Sequence, residues 1–281
     1  MNEKEDFILP FMISDHSTNG RIVSLDSTIE QIISLHNYPD KISEILAELL
    51  VISCFLGQNL KKEGIVTCQI QNGTGAINLM VAEYTFGGGI RGYAGFEENK
   101  ISNNSSFHDL VKKEQLVVTV ESGDEKYQGI INLDKENLAK SFELYLEKSE
   151  QIDASLVLSV GYKYIFDEKK IYAKGIILKK MPKYDEPNSD KWLKYKHFIH
   201  SVSKKELSDI QETELLKRLF HADGVLLFDM SHVYVKCRCS REKMKNILKT
   251  IPKEEKISLS DDGKIIMKCQ FCSKEEIFYE K

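Results

Sequence analysis

The chain has 281 residues, of which 42% are hydrophobic and 29% charged, values typical of a folded protein with a hydrophobic core. Its 39 Lys and Arg residues nearly balance its 43 Asp and Glu residues, so the net charge of −4 argues against a nucleic-acid-binding protein. No apolar run approaches the roughly 20 residues that a transmembrane helix requires, and the acidic N-terminal sequence MNEKEDF differs from a signal peptide. We therefore expect a cytoplasmic protein with no membrane partner.

Residues 1–181 are predicted to form an α+β core domain with an antiparallel-rich sheet. A capping box of Ser27 and Glu30 predicts a short helix over 28–36, and apolar residues at helical spacing predict a long buried helix from about 42 to 61. Another helix is predicted over 135–148. Strands are predicted where the apolar period changes to two: at 66–71, 76–84, 90–93, 116–121, 127–133, 154–166 and 170–180. Hairpins dominate this pattern, and no regular βαβ alternation appears.

Residues 182–231 are predicted to form a metastable helical linker. Two of the five prolines lie within 181–189, which marks its beginning. Helices are predicted over 190–202 and 204–221, and the second begins at a capping box of Ser203 and Glu206. The segment is highly charged and too small to form its own core. We therefore expect these helices to be stable only while they pack against a neighbour.

Residues 232–281 are predicted to form a small C-terminal domain that binds zinc. Four of the six cysteines lie there as two close pairs: Cys237 with Cys239, and Cys269 with Cys272. Between the pairs we predict a helix capped by Ser240 and then a hairpin of strands 256–259 and 264–268, which turns at residues 262–263. Two close pairs joined by such structure form the arrangement that a tetrahedral four-cysteine zinc site requires. With few apolar residues present, the metal is expected to contribute much of the folding energy.

The sequence predicts that Cys54 and Cys68 are unreactive, whereas the cysteines of the C-terminal pairs react with oxidants. Cys54 lies on the long apolar helix and Cys68 on a strand face, so both are predicted to be inert core residues. Basic residues flank the C-terminal pairs and favour thiolates that react with oxidants: Lys236, Arg238, Arg241 and Lys268.

The C-terminal sequence KCRCSREKMKNIL…DDGKIIMKCQFC resembles the zinc-binding domain of the redox-regulated 33 kDa chaperonin (heat-shock protein 33) family. Other segments resemble that family in the same order: LVISCFLGQNLKKEGIVTCQIQ, GIRGYAGF, VESGDEKYQGII, YLEKSEQI and ELLKRLFHADGVLLFD. The resemblance covers about residues 40–281, and the spacing of the two cysteine pairs is its most specific part.

The resemblance implies an ATP-independent holdase chaperone that acts under oxidative and unfolding stress, is not an enzyme and has no catalytic residues. The reduced, inactive form would bind one Zn²⁺ through Cys237, Cys239, Cys269 and Cys272. Oxidation is implied to form the disulfides Cys237–Cys239 and Cys269–Cys272, to release zinc and to unfold the linker. The resulting homodimer would bind unfolding client proteins. We expect the client or dimer surface to include the apolar linker residues Trp192, Leu193, Leu215, Leu216, Leu219 and Phe220.

Two functions from other classes remain open. A zinc-ribbon adaptor would use the C-terminal module, whose formal charge is +4 from twelve basic and eight acidic residues in 232–281, to bind nucleic acid or a protein partner. Interleaved acidic residues and few aromatic side chains argue against it. A thiol oxidoreductase would use Cys269 and Cys272, but such a motif normally opens a helix in a thioredoxin-like unit.

Overall fold

The structure is a computed structural model that describes residues 6–71, 73–102, 104–182, 190–259 and 263–279. It divides into two compact units, a large one that ends at Val235 and a small one that begins at Lys236. The α+β class with antiparallel-rich sheets is confirmed. The unit boundary lies beyond residue 231 because residues 225–235 contain strands that pair with both sheets of the large unit.

The large unit contains the following elements in chain order: β1 (Phe7–Ile13), β2 (Thr18–Leu25), α1 (Ser27–Ile33), α2 (Asp40–Gly57), β3 (Gly64–Gln71), β4 (Ile77–Thr85), β5 (Gly89–Phe96), α3 (Phe107–Leu110), β6 (Gln115–Ser122), β7 (Glu125–Asn132), α4 (Leu138–Ser149), β8 (Ala154–Ile165), β9 (Glu168–Lys180), α5 (Asp190–His200), α6 (Lys204–Asp209), α7 (Glu212–Leu219), β10 (Val225–Leu227), β11 (Ser231–His232) and β12 (Tyr234–Val235). The small unit contains α8 (Arg241–Thr250), α9 (Lys253–Leu259), β13 (Lys264–Lys268) and β14 (Glu275–Tyr279). None of the described helices is both long and apolar enough to cross a membrane.

Two sheets and a buried helix form the core of the large unit. The first sheet has the strand order β10–β1–β2–β9–β8, with β11 also paired to β1, and the second has the order β12–β5–β4–β3–β6–β7. Helix α2 packs against strands of both sheets. It is apolar on nearly all sides and buried over most of its length, as expected for a core helix rather than an amphipathic surface helix.

The N-terminus of α1 differs from the prediction. The capping box of Ser27 and Glu30 is wrong, because the N-cap residue is Asp26 and its side chain makes no capping hydrogen bond. The carboxylate of Asp6 instead accepts hydrogen bonds from the backbone N–H groups of Asp26, Ser27 and Thr28, at 2.8, 3.3 and 2.6 Å. Strand β1 begins directly after Asp6, and the sequence analysis did not predict this strand.

The linker helices pack on the first sheet. The predicted capping box of Ser203 and Glu206 is confirmed. The predicted single helix over 204–221 is wrong, because the backbone is extended at Ile210 and Gln211 and separates α6 from α7. The break changes the direction of the chain, so that Leu207 of α6 joins one buried cluster while α7 also contributes to a second cluster on the sheet.

Candidate metal centre

The four C-terminal cysteines lie on two short segments of the small unit. Cys237 and Cys239 precede α8, whose predicted cap is confirmed because the Ser240 hydroxyl accepts a hydrogen bond from the backbone of Lys243. Cys269 and Cys272 lie in the connection between β13 and β14.

The predicted hairpin of strands 256–259 and 264–268 is wrong. Residues 253–259 form α9, and β13 pairs antiparallel with β14 instead. Residue 262 of the predicted turn lies outside the described residues. The hairpin therefore bends at the second cysteine pair itself, rather than before it.

Backbone hydrogen bonds fix the second pair in its turn. The Cys269 N–H donates to the Lys274 carbonyl at 2.9 Å, and the Ser273 N–H donates to the Cys269 carbonyl at 2.8 Å. Helix α8 is tied to β14 because the Arg241 guanidinium donates to the Glu276 carboxylate at 2.6 Å and to the Ile277 carbonyl at 2.8 Å. These contacts hold together the two segments that carry the cysteines.

The four sulfur atoms form one compact cluster, with all of them within 4.8 Å of one another. The Sγ–Sγ distance is 3.7 Å between Cys237 and Cys269 and 3.4 Å between Cys239 and Cys272. A disulfide requires about 2.05 Å, so the four groups are free thiols. Four sulfurs placed tetrahedrally about 2.3 Å from a zinc ion would lie about 3.8 Å apart. The cluster therefore matches the size of such a site and can hold a metal ion.

Hydrogen bonding within the cluster makes its thiols unequal. Burial raises the pKa of Cys237, but hydrogen bonds from the Cys239 backbone and from neighbouring thiols lower it to about 7. Burial and the neighbouring thiols raise the pKa of Cys239, and burial also raises that of Cys272. Cys237 thus forms a thiolate near neutral pH, whereas the raised pKa values of Cys239 and Cys272 mean that a bound cation must displace their protons. Burial is the largest single cause for each of the three groups, and hydrogen bonds inside the cluster make the pKa of Cys237 differ from those of Cys239 and Cys272.

The cysteines also belong to the small unit's hydrophobic core. Its buried members are Met244, Cys269 and Phe278, and the partly buried side chains packed against them are Cys237, Cys239, Leu248, Met267, Phe271 and Cys272. A core this small depends on its sulfur atoms, so a change in their chemistry changes the packing of the whole unit.

The other two cysteines lie in the core of the large unit, as predicted. Cys54 on α2 and Cys68 on β3 are fully buried. Burial raises the pKa of Cys68 to about 12 and also raises that of Cys54. Both groups are therefore protonated and shielded from solvent at neutral pH.

The predicted client-surface residues lie mostly inside the large unit. Trp192, Leu215, Leu216 and Phe220 are buried and Leu219 is partly buried, whereas Leu193 is 45% exposed. The cluster that receives α5 and α7 consists of sheet residues Leu9, Phe11, Ile13, Ile22, Ile176 and Leu178. In this structure the amphipathic linker helices are docked and their apolar faces are covered.

A buried ion pair, which the sequence analysis missed, also joins the linker to the sheet. Lys174 on β9 is 1% exposed, and its Nζ lies 2.5 Å from Oε1 of Glu212 on α7. Burial raises the pKa of Glu212, but the hydrogen bond and charge of Lys174 outweigh this and hold it below its usual value. Lys174 lies among the apolar residues of β9, and a lysine in such a position indicates a buried acidic partner.

The fold and the cluster define an α+β protein with a small C-terminal unit built around four cysteines. Over residues 6–279 the chain matches the family model described as Hsp33 protein. It is 34% identical over 264 residues to the 33 kDa chaperonin of Aliivibrio salmonicida, covering 93% of this chain and 88% of that protein. It is 32% identical over 271 residues to the 33 kDa chaperonin of Shewanella loihica, covering 96% and 91%.

A solved structure shows the same fold. The crystal structure of the 33 kDa chaperonin (heat shock protein 33 homologue) of Thermotoga maritima superposes with a TM-score of 0.83 at 22% sequence identity, covering 97% of this chain and 94% of that chain. The chain belongs to the Hsp33 family, and this membership supports a chaperone function.

Proposed function

We propose that this protein is a redox-regulated, ATP-independent holdase that is inactive when reduced and zinc-bound. The observation that carries the proposal is the cluster of four free thiols, whose sulfur atoms lie within 4.8 Å of one another inside the core of the small unit. The sulfur atoms that would react with the oxidant therefore also form part of the core of the small unit.

In the reduced state we assign the metal ligands to Cys237, Cys239, Cys269 and Cys272. Bound Zn²⁺ would neutralise the thiolate charge and cross-link the two segments. The Ser240 cap and the contacts of Arg241 with Glu276 hold those segments in place.

In the oxidised state we propose the disulfides Cys237–Cys239 and Cys269–Cys272. For each disulfide, two thiolates lose two electrons in all, and one hydrogen peroxide molecule takes up these electrons and two protons from solvent to give two water molecules. The closest sulfur contacts given above join the two segments, whereas these disulfides lie within each segment. Oxidation therefore removes the cross-segment contacts and the ligand set together, which destabilises the small unit.

Release of the linker would follow from its limited stability. Helices α5 to α7 depend on their contacts with the first sheet, and a segment held in this way can open at a lower free-energy cost than the core. Undocking would expose Trp192, Leu193, Leu215, Leu216, Leu219 and Phe220, which we propose as the surface for unfolding clients and for the second subunit of an oxidised homodimer. A reducing compartment such as the cytoplasm would keep the thiols in the inactive form.

Light scattering from a heat-unfolding client tests this function. The full chain is added either reduced and zinc-loaded or after peroxide treatment, with no ATP present. We expect suppression of scattering only after oxidation, and a variant with Cys239→Ser and Cys272→Ser should lose this dependence on peroxide. A protein that suppresses scattering equally in both states would be a constitutive chaperone, and one that never does so would favour the zinc-ribbon adaptor.

An enzymatic function is disfavoured by the position of the second pair. Cys269 and Cys272 lie in a turn between two strands and not at a helix N-terminus, which is the usual position of a reactive cysteine in thiol oxidoreductases. Turnover of a disulfide substrate by the metal-free protein would contradict this conclusion.

A further inference from the structure

Residues 225–235, which we call the strap, lie along one edge of each sheet. Within the strap, β10 pairs with Phe11–Ile13 of β1, and β11 pairs with Phe7 and Ile8 of the same strand. β12 then pairs in parallel with Gly89 and Ile90 of β5 in the other sheet. The strap thus covers two sheet edges in succession and ends just before the first cysteine pair.

Backbone hydrogen bonds hold the strap along its length. The Phe228 N–H donates to the Pro10 carbonyl at 3.1 Å, and the Val233 N–H donates to the Asp6 carbonyl at 2.9 Å. The Tyr234 N–H donates to the Gly88 carbonyl at 3.0 Å, which continues the attachment onto the second sheet. The edges therefore recognise an extended main chain.

Side-chain burial in this attachment is limited to three valines, because Val233 is buried and Val225 and Val235 are partly buried against the core. The larger apolar side chains of the strap are between 43% and 55% exposed: Leu226, Leu227, Phe228, Met230 and Tyr234. A segment held by short pairings with few buried apolar contacts belongs to the parts of a protein that open at low free-energy cost.

We propose that β1 and β5 are docking edges for extended, apolar segments of unfolding polypeptides, which replace the strap by pairing with the sheets. Without the strap, each edge would present unpaired N–H and C=O groups, which readily pair with another chain. The sequence VLLFDMSHVYV, which occupies the edges here, indicates the partner: an extended segment rich in large apolar residues. This inference rests on the proposed holdase function, since it names how clients bind.

Two neighbouring glycines provide a matched pair for a test. At Gly88, φ is +100°, and an added side-chain carbon would clash with the His232 carbonyl oxygen of the strap. At Gly87, φ is +91°, and an added carbon would meet nothing within 4 Å. Alanine strains the backbone at both positions, but only Gly88→Ala would push the strap away from β5 of the second sheet.

The experiment uses full-length protein and two labelled peptides with the strap sequence. One peptide is unmodified, and the other carries N-methyl groups on alternate residues, which remove backbone donors while leaving the side chains unchanged. Binding is followed by fluorescence anisotropy on reduced Gly88→Ala, reduced Gly87→Ala and peroxide-treated parent protein. We expect the first and third to bind the unmodified peptide, and the methylated peptide to bind about tenfold more weakly, since one to two hydrogen bonds are lost. Reduced Gly87→Ala should bind neither peptide.

Hydrogen exchange locates the bound peptide. The unmodified peptide should protect backbone amides of β1 and β5 in the peroxide-treated parent protein, which keeps the test available if Gly88→Ala does not fold. Equal binding of the two peptides, or no protection on β1 and β5, would overturn the inference. Dimerisation of Gly88→Ala that excludes the peptide would also overturn it and assign the edges to a second copy of this chain.

The outcomes separate this inference from the proposed function. If peroxide-treated protein suppresses client aggregation but never binds the peptide in a backbone-dependent way, only the docking inference fails. If it does not suppress aggregation while Gly88→Ala binds the unmodified peptide selectively, the edges are docking sites but the redox-regulated holdase function is wrong.

Discussion

The buried ion pair between Lys174 and Glu212 predicts a variant that releases the linker without oxidation. In Glu212→Gln the shape of the side chain is kept, but its charge is lost. Lys174 then remains on β9, almost fully buried, with its principal charged partner removed. Departure of α7 from the sheet would restore the solvation of this ammonium group.

The size of the effect follows from that burial. Removing one partner of a buried pair costs about 3–5 kcal/mol, and we expect about 3 kcal/mol because the glutamine oxygen still accepts a hydrogen bond. That loss would raise the undocked population roughly 150-fold. Glu214 on the same helix provides a control, because it pairs at 2.9 Å with Arg218 on the surface. Such exposed pairs contribute about 0–1 kcal/mol.

Trp192 reports the undocking directly. It is the only tryptophan in the chain, and it is buried in the cluster that α5 and α7 form with the first sheet. In reduced protein, Glu212→Gln should shift the tryptophan emission to longer wavelength and lower the denaturant midpoint of that transition, whereas Glu214→Gln should do neither. The former should also suppress client aggregation partly without peroxide. Identical emission and midpoints for the two variants would refute the reasoning.

Three further predictions concern other buried groups. Glu114 is buried, its carboxylate oxygens have no hydrogen-bond partner among the described residues, and burial raises its pKa to about 8. The folded state therefore binds the proton more tightly than the unfolded state. As a result, ionisation of this group lowers the free energy of unfolding as pH rises from about 4.5 to 8, by up to about 1.4 kcal/mol per pH unit. Urea titrations at several pH values should show that Glu114→Gln loses this pH dependence, and an unchanged dependence would contradict the prediction. After metal removal by a chelator, mass spectrometry of alkylated native protein should find four adducts, since Cys54 and Cys68 stay buried; six would be inconsistent with their burial. Cys269→Ser should lose its bound zinc and Cys54→Ala should keep one zinc per chain, and metal analysis showing zinc in both would remove Cys269 from the ligand set.

The sequence indicated the cluster of four cysteines because the information within each pair is local. Each cysteine pair is close in sequence, so spacing alone places its two sulfurs together. The secondary structure between the two pairs was harder to predict from the sequence. Residues 253–259 were predicted to include a strand, although Pro252 followed by Glu254 and Glu255 is typical of a helix N-terminus, and the structure has α9 there.

Long-range pairings were beyond the reach of sequence patterns. In β1 the sequence FILPFMI lacks alternation and contains Pro10, so it did not indicate a strand. Its pairing with β2 and with the strap makes it one. Lys174 and Glu212 are likewise far apart in the chain, and only the docking of α7 on β9 brings their charges together.

The most direct test of the account is a time course that follows the cysteines and the linker in the same sample. After peroxide is added to reduced, zinc-loaded protein, a chromogenic chelator measures released zinc while hydrogen exchange measures amide protection in α5, α6 and α7. We predict that protection of these helices is lost in step with zinc release, while α2 stays protected. Complete zinc release with α5 to α7 still protected would contradict the claim that the cysteine centre controls the linker.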